Sequence, residues 1–353
     1  MSGVRARGED IRRYIIENVD KYPNTISKIA ATRSGISRQA ANKHLQRLVK
    51  ESILSESGNT RSRIYKLAPL VEWRGEYLLG GSPQIAEDVV WANDIRKALG
   101  PLPDNVLNIW HHAFTEMLNN AIDHSGGARI SVYVRKNAAE TEMQISDDGV
   151  GIFKKIQTAL QLLDERHAVL ELAKGKFTTD PKNHSGEGIF FTSRMFNDFS
   201  IVSGGVVFSH EFDKKEDWIQ EPDNSHSGTH VFMMLHNHTS RTTKKVFDKF
   251  TSPEDFTFSK TVVPVSLAKY GDENLISRSQ AKRLLARIEL FKVVMLDFQG
   301  VPTIGQAFAD EIFRVFATEH PDIELVPIHT NSEVKRMIER VKATIHAAGT
   351  ANS

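Results

Sequence analysis

HHAFTEMLNNAIDHSGG (residues 111–127) carries an apolar helical pattern broken by a single polar stripe. Glu116 and Asn120 are four residues apart and share one helical face, and His112 and His124 extend the same row in both directions. Polar groups in a row on an otherwise apolar helix are either buried in a hydrogen-bond network or turned towards a ligand. Just beyond, ARISVYVRK (128–136) and TEMQISDDG (141–149) alternate as strands of an antiparallel sheet. The second runs into DDGVGI (147–152), where Asp147 ends a strand and Gly149 and Gly151 let the chain bend close to a ligand. Residues 153–183 hold a helical pattern and then a polar stretch. GEGIFF (186–191) follows as a glycine-rich turn opening a helix, and the N–H groups of such a start form an anion site. Thr229 begins the strand GTHVFMML (228–235).

In this order and spacing the boxes resemble those of the GHKL (Bergerat-fold) ATPases, over about residues 84–236. The resemblance covers EMLNNA (116–121) as the N-box, DDGVGI (147–152) and GEGI (186–189) as the glycine boxes, and Thr229 as the late threonine. It implies ATP and Mg²⁺ as cofactors. Asn120 would offer its side-chain oxygen to Mg²⁺, a hard cation. Asp147 would accept from the adenine amino group, with Thr229 beside it. Gly149 and Gly151 would admit the base, and Gly186 and Gly188 the phosphates. Asn119, Asp123, Ile152, Glu187, Ile189 and Phe190 complete the implied binding set. Glu116 is the implied general base for the water that attacks the terminal phosphate. In the protein kinases of the superfamily that carboxylate would serve a hydroxyl nucleophile instead. His112 and His124 read as packing or hydrogen-bonding groups rather than zinc ligands. Lys174 and Lys176 fall in the lid implied at 153–185 and read as solvated charges.

Charge divides the chain. Residues 1–70 carry 14 basic against 6 acidic residues, net +8, and the remainder carries 31 against 38, net −7, so the overall charge of +1 is a cancellation. The basic segment has three helical patterns. EDIRRYIIENVD (9–20) is the first, Thr25 caps the second, and Ser37 caps the third, whose inner face is Ala41, His44, Leu45 and Leu48. ILSESGNTRSRIYKL (53–67) then reads as a hairpin around Gly58 and Asn59. This order resembles the winged helix-turn-helix domains of bacterial regulators. It implies double-stranded DNA as partner, read by Arg38, Gln39, Asn42, Lys43 and Arg47 on the third helix and by Arg61 and Arg63 on the wing.

Beyond a rise in charge and Ser/Pro content at 240–253, strand and helix patterns alternate to the end, which implies an α/β layer with parallel strands. This stretch resembles the STAS-like (DUF4325-type) domains, on VMLDF (294–298) and IGQA (304–307). A phospho-acceptor Ser of the anti-anti-sigma kind is missing at the helix start, where Gly305, Gln306, Ala307 and Phe308 stand and Thr303 is the nearest hydroxyl.

The expected architecture is multidomain α+β. It comprises a winged helix at 1–70, a GHKL α/β sandwich at 71–239 (motifs 116–232) with helices on one face of a mixed sheet, and a STAS-like α/β domain at 254–347. The stretch from Ala68 to Pro83 reads as the separator of the first two, with room for one strand. The expected function is an ATP-binding, ATP-hydrolysing DNA-binding regulator of transcription. The expected state is a cytoplasmic homodimer, with a protein partner at the STAS-like domain. A Ser/Thr kinase acting in trans, or a nucleotide-binding scaffold, are the other activities compatible with the motifs. Zero cysteine excludes disulfides and thiolate chemistry. The sequence shows no signal-peptide pattern and no apolar run long enough to span a bilayer, so no membrane partner is expected.

Overall fold

The computed structural model describes residues 2–59, 62–81, 84–177, 186–212, 218–220, 226–253, 257–269 and 274–350. Arg61 and the 178–185 part of the expected lid lie outside them.

The head has helices Ser2–Asn18, Ile26–Ser34 and Arg38–Lys50, followed by the antiparallel pair β1 (Leu54–Ser57) and β2 (Ile64–Leu67). Its first helix starts earlier than the apolar pattern does. Ser37 caps the third helix by accepting from the Ala40 amide at 3.1 Å, whereas Thr25 makes no side-chain cap bond. Ile15, Val19, Ala30, Leu45 and Leu48 are each no more than 1% exposed and form a core of their own.

The expected separator after the head is largely a strand. β3 (Val71–Leu78) forms one edge of the central sheet, paired with β4 (Arg129–Lys136) from Val71 opposite Lys136 to Leu78 opposite Arg129. The Ala68 amide donates to Ile53 O in the head, and the Leu70 amide donates to Lys136 O in the sheet, so only Pro69 lies between the two bodies of backbone bonding.

β5 (Glu140–Asp147), β6 (Asp198–Gly204), β7 (Val206–Glu211), β8 (Trp218–Gln220) and β9 (His226–His236) complete the central sheet in the order β3-β4-β5-β9-β6-β7-β8. Every pairing in it is antiparallel, which corrects the expectation of a mixed sheet. The long crossover from β5 to β6 would make a parallel pair if the two strands were neighbours. Instead β9 inserts between them, antiparallel to both. Helix Asp104–His124 lays Ile109, Trp110, Phe114 and Leu118 against inward side chains such as Val132 and Val134 of β4, Ile145 of β5 and Met233 of β9. Ile152–Ala159, Glu165–Lys174 and Gly188–Met195 are the other helices built around the site.

The stretch 240–253 is not a loose connection either. Helix Thr243–Phe250 packs Phe247 on Phe191 (ring centroids 4.2 Å) and Phe250 on Phe190 (5.0 Å). Beyond it, β10 (Lys260–Pro264), β11 (Val293–Asp297) and β12 (Glu324–Ile328) form a parallel sheet in that order, with helices Arg278–Leu285 and Gln306–Asp310 among its crossovers and Ser332–Thr350 last. The central and C-terminal parts share one continuous buried core.

Candidate functional site

A cavity of about 260 Å³ opens between helix Asp104–His124 and the loops that leave β5 and enter the helix at Gly188. Glu116, Asn120 and His124 reach its wall from successive turns of the long helix, as the four-residue spacing requires. Asp147 comes from the end of β5, Gly151 and Ile152 from the start of the helix that follows it, Thr229 from β9, Gly186 from the second glycine-rich turn, and Gly188 and Ile189 from the helix that this turn opens. Met117, Ile145, Ile156, Leu172, Ile201 and Val231 supply apolar wall.

Asp147 is 7% exposed. Its Oδ1 accepts from the Gly149 amide at 2.9 Å and the Thr229 amide at 3.3 Å. Burial pushes this carboxyl above its ordinary range, and those backbone bonds pull against the shift. Thr229 in turn accepts at its hydroxyl from the Ile152 amide (3.0 Å), tying β9 to the start of the next helix. Gly151 has φ +93°, and a Cβ there would stand 2.5 Å from Ser203 Oγ, so only glycine makes this bend. Ser203 Oγ donates to Gly228 O at 2.9 Å and closes the same corner.

Five residues of the expected binding set stand off the wall. Asp123 is exposed, and Asn119 and Glu187 are half-buried beside the cavity. Gly149 acts one layer back through its bond to Asp147. Phe190 is 1% exposed and packs in the core, with the Arg194 guanidinium 3.6 Å above its ring. His112 and His124 part company. His124 faces the cavity, while His112 packs edge-on against Phe247 (5.5 Å), where burial lowers its pKa.

Of the wall residues that the sequence reading did not single out, two carry a charge or a ring. Lys155 lines the cavity with its ammonium on His124 O at 2.7 Å. Its signal was its place three residues after Ile152 on the same helical face. Phe177 lines the opposite side from just beyond helix Glu165–Lys174, and nothing local marks it. Lys174, expected as a solvated lid charge, is 1% exposed and bonded into the C-terminal domain, because a lid pressed between two domains has no solvent to face.

On the head, Arg38, Gln39, Asn42, Lys43 and Arg47 are all exposed on helix Arg38–Lys50. Arg38 Nε also donates to Ser27 Oγ (3.3 Å), and Arg47 pairs with Glu51 (2.9 Å). Arg63 lies 3.4 Å from Glu56 across the hairpin. Among the described residues no helix is long and apolar enough to cross a membrane.

No curated protein matches the chain. Residues 280–335 match the family model of the STAS-like domain of unknown function, DUF4325. Residues 106–237, which span every wall residue from Glu116 to Val231, match that of the histidine kinase-, DNA gyrase B-, and HSP90-like ATPases. The chain therefore contains a histidine kinase-like ATPase domain of the GHKL type followed by a STAS-like domain.

Proposed function

We propose that the cavity binds Mg²⁺-ATP, and that its occupancy sets how a winged-helix head at residues 1–70 engages double-stranded DNA. The observation that carries the nucleotide reading is the convergence of Glu116, Asn120, Asp147, Gly188 and Thr229 on one cavity from four separate parts of the chain. The chemistry of the wall fits an adenine nucleotide. Apolar side chains make a slot for a flat ring, and Asp147 offers a carboxylate acceptor to an exocyclic amine within it. The helix start at Gly188 suits phosphate oxygens, since the opening turn of a helix has N–H groups without intrahelical partners. Asn120 would hold the metal through its side-chain oxygen, and Lys155 would face the same end of the ligand. Mg²⁺ bound with the triphosphate supplies charge neutralisation at the reacting phosphate. Glu116 orients a water and takes its proton.

The exposed face of helix Arg38–Lys50, the Arg63 wing and the net charge of +8 on residues 1–70 support DNA as the partner of the head. Two heads of a cytoplasmic homodimer would meet paired half-sites. The STAS-like domain would serve as a protein-binding surface rather than as a phospho-acceptor. The Gly305 amide there donates to Leu275 O (2.7 Å), and Ile304 is bridged to Leu275, so a neighbouring segment already covers the loop.

Incubation of the full chain with γ-labelled ATP tests the activity. Release of labelled phosphate is the expected result. Label on the protein, or on a partner added to it, would favour a kinase, and ATP binding without either would leave a nucleotide-gated scaffold.

A further inference from the structure

The segment between the two glycine-rich turns works in two directions. Helix Glu165–Lys174 is buried from His167 to Lys174. On one side Leu172 and Phe177 line the cavity. On the other the same segment is bonded to the C-terminal domain. Lys174 Nζ donates to Glu171 Oε1 (2.7 Å), Ala286 O (2.7 Å) and Arg283 O (3.3 Å), which uses all three of its protons. Ala286 and Arg283 stand at the C-terminal end of helix Arg278–Leu285, where terminal carbonyls and the helix dipole both favour a cation. Thr261 of β10 donates its hydroxyl to Lys174 O at 2.6 Å.

Arg287 gathers these contacts. Its guanidinium lies 3.4 Å from Glu171 Oε2, donates to Lys176 O at 2.8 Å, and sits 5.1 Å above the ring of Phe177. Its own backbone has φ +63°, a left-handed conformation unfavourable for any residue with a side chain. Strain of that kind persists where the surroundings over-determine it. Here the surroundings are a buried ion pair, a backbone carbonyl and an aromatic ring, all on the cavity-lining segment.

We infer that Arg287 is a positioning residue of the nucleotide cavity: from the C-terminal domain it holds residues 171–177 in place, and through Phe177 it shapes the cavity wall. Ligand binding and the hold of the C-terminal domain on residues 171–177 are then linked, and each strengthens the other by the same factor. A protein that binds the C-terminal domain and loosens its hold on this segment would weaken ATP, and ATP would resist that protein. The identity of the ligand rests on the ATP reading, while the positioning itself does not.

The full-length protein is tested as wild type, Arg287→Ala, Arg287→Lys and Thr261→Val, with two readouts. The first is amide hydrogen exchange without ligand. Arg287→Ala and Thr261→Val are expected to speed exchange across 171–177 while leaving β11 unchanged. The second is ATP affinity, expected to fall about tenfold in Arg287→Ala. Arg287→Lys is expected to recover part of the loss, because a lysine keeps one of the two polar contacts. Unchanged exchange in Thr261→Val and Arg287→Lys, or ATP that binds the wild type and binds all three variants with the same affinity, overturns the inference. Should Arg287→Ala not fold, the other two variants carry both readouts. If exchange rises as expected and the wild type binds no ATP, the positioning stands and the ATP reading falls.

Discussion

Glu116 and Gly188 meet across the mouth of the cavity, and a Cβ on Gly188 would run into the Glu116 carboxylate at Oε2. Two boxes 72 residues apart are thus fitted to each other before any ligand enters. Gly188→Ala must displace either the carboxylate or the helix start. The carboxylate is the flexible partner, so phosphate release is expected to fall by more than tenfold, with the far-UV spectrum of the protein unchanged. Release of γ-labelled phosphate measures it.

Glu116→Ala goes further. It removes the carboxylate but leaves Asn120, Asp147 and Gly188 on the wall. Nucleotide affinity is expected to stay within a few-fold of wild type while phosphate release stops. Unchanged turnover would remove Glu116 from the chemistry.

Asp147 links affinity to pH. Its carboxyl titrates above the ordinary aspartate range because burial disfavours the charged form. An ionised carboxylate is the stronger acceptor for an amino group, so ATP affinity is expected to fall on acidification at a higher pH than an exposed aspartate would give. The effect on folding has the opposite sign. A raised folded-state pKa leaves the charged form destabilising above that pKa, and the penalty disappears as the pH drops towards the unfolded value. Asp147→Asn is therefore expected to abolish the acidic loss of affinity, bind ATP poorly at every pH, and unfold at an equal or higher temperature than wild type at neutral pH.

Lys174→Met tests the buried ion pair. Losing the ammonium leaves Glu171 with Arg287 alone and strands two helix-end carbonyls. Breaking a buried pair from one side costs about 3–5 kcal/mol, so the urea midpoint is expected to drop clearly. Because the central and C-terminal parts share a core, both should lose structure together rather than in separate steps.

On the head, Arg38→Ala and Arg47→Ala are each expected to weaken DNA binding in a mobility-shift titration and to leave ATP affinity untouched. A contact to phosphate would also make the salt dependence of binding shallower. The Arg47 pair with Glu51 is a surface pair of small energetic value, so neither change should lower stability measurably.

The arrangement of the cavity wall was readable in large part because it is locally encoded. The four-residue step from Glu116 to Asn120, and the glycines at 151 and 188, state in a few adjacent letters what a helix face or a tight bend requires. β4 and β5 were equally plain from alternation. β3 was readable only as room for one strand in a separator, because an edge strand buries little and its residues alternate only between half-buried and exposed. The placing of β9 between β5 and β6, and the partners of Lys174 more than 100 residues away, depend on pairings between distant segments that no local pattern specifies. A lysine in a helix reads as a solvent-facing charge until the surface that covers it is known.

One residue separates the backbone bonding of the head from that of the central sheet. Between the Ala68 amide, bonded within the head, and the Leu70 amide, bonded into the sheet, stands Pro69, whose ring fixes one of its own two torsions. A join this short has no slack and cannot behave as a tether. The head rides the sheet edge as a jaw rides the frame of a calliper, and in the proposed homodimer the spacing between the two heads would be a dimension that the body sets and the heads merely report.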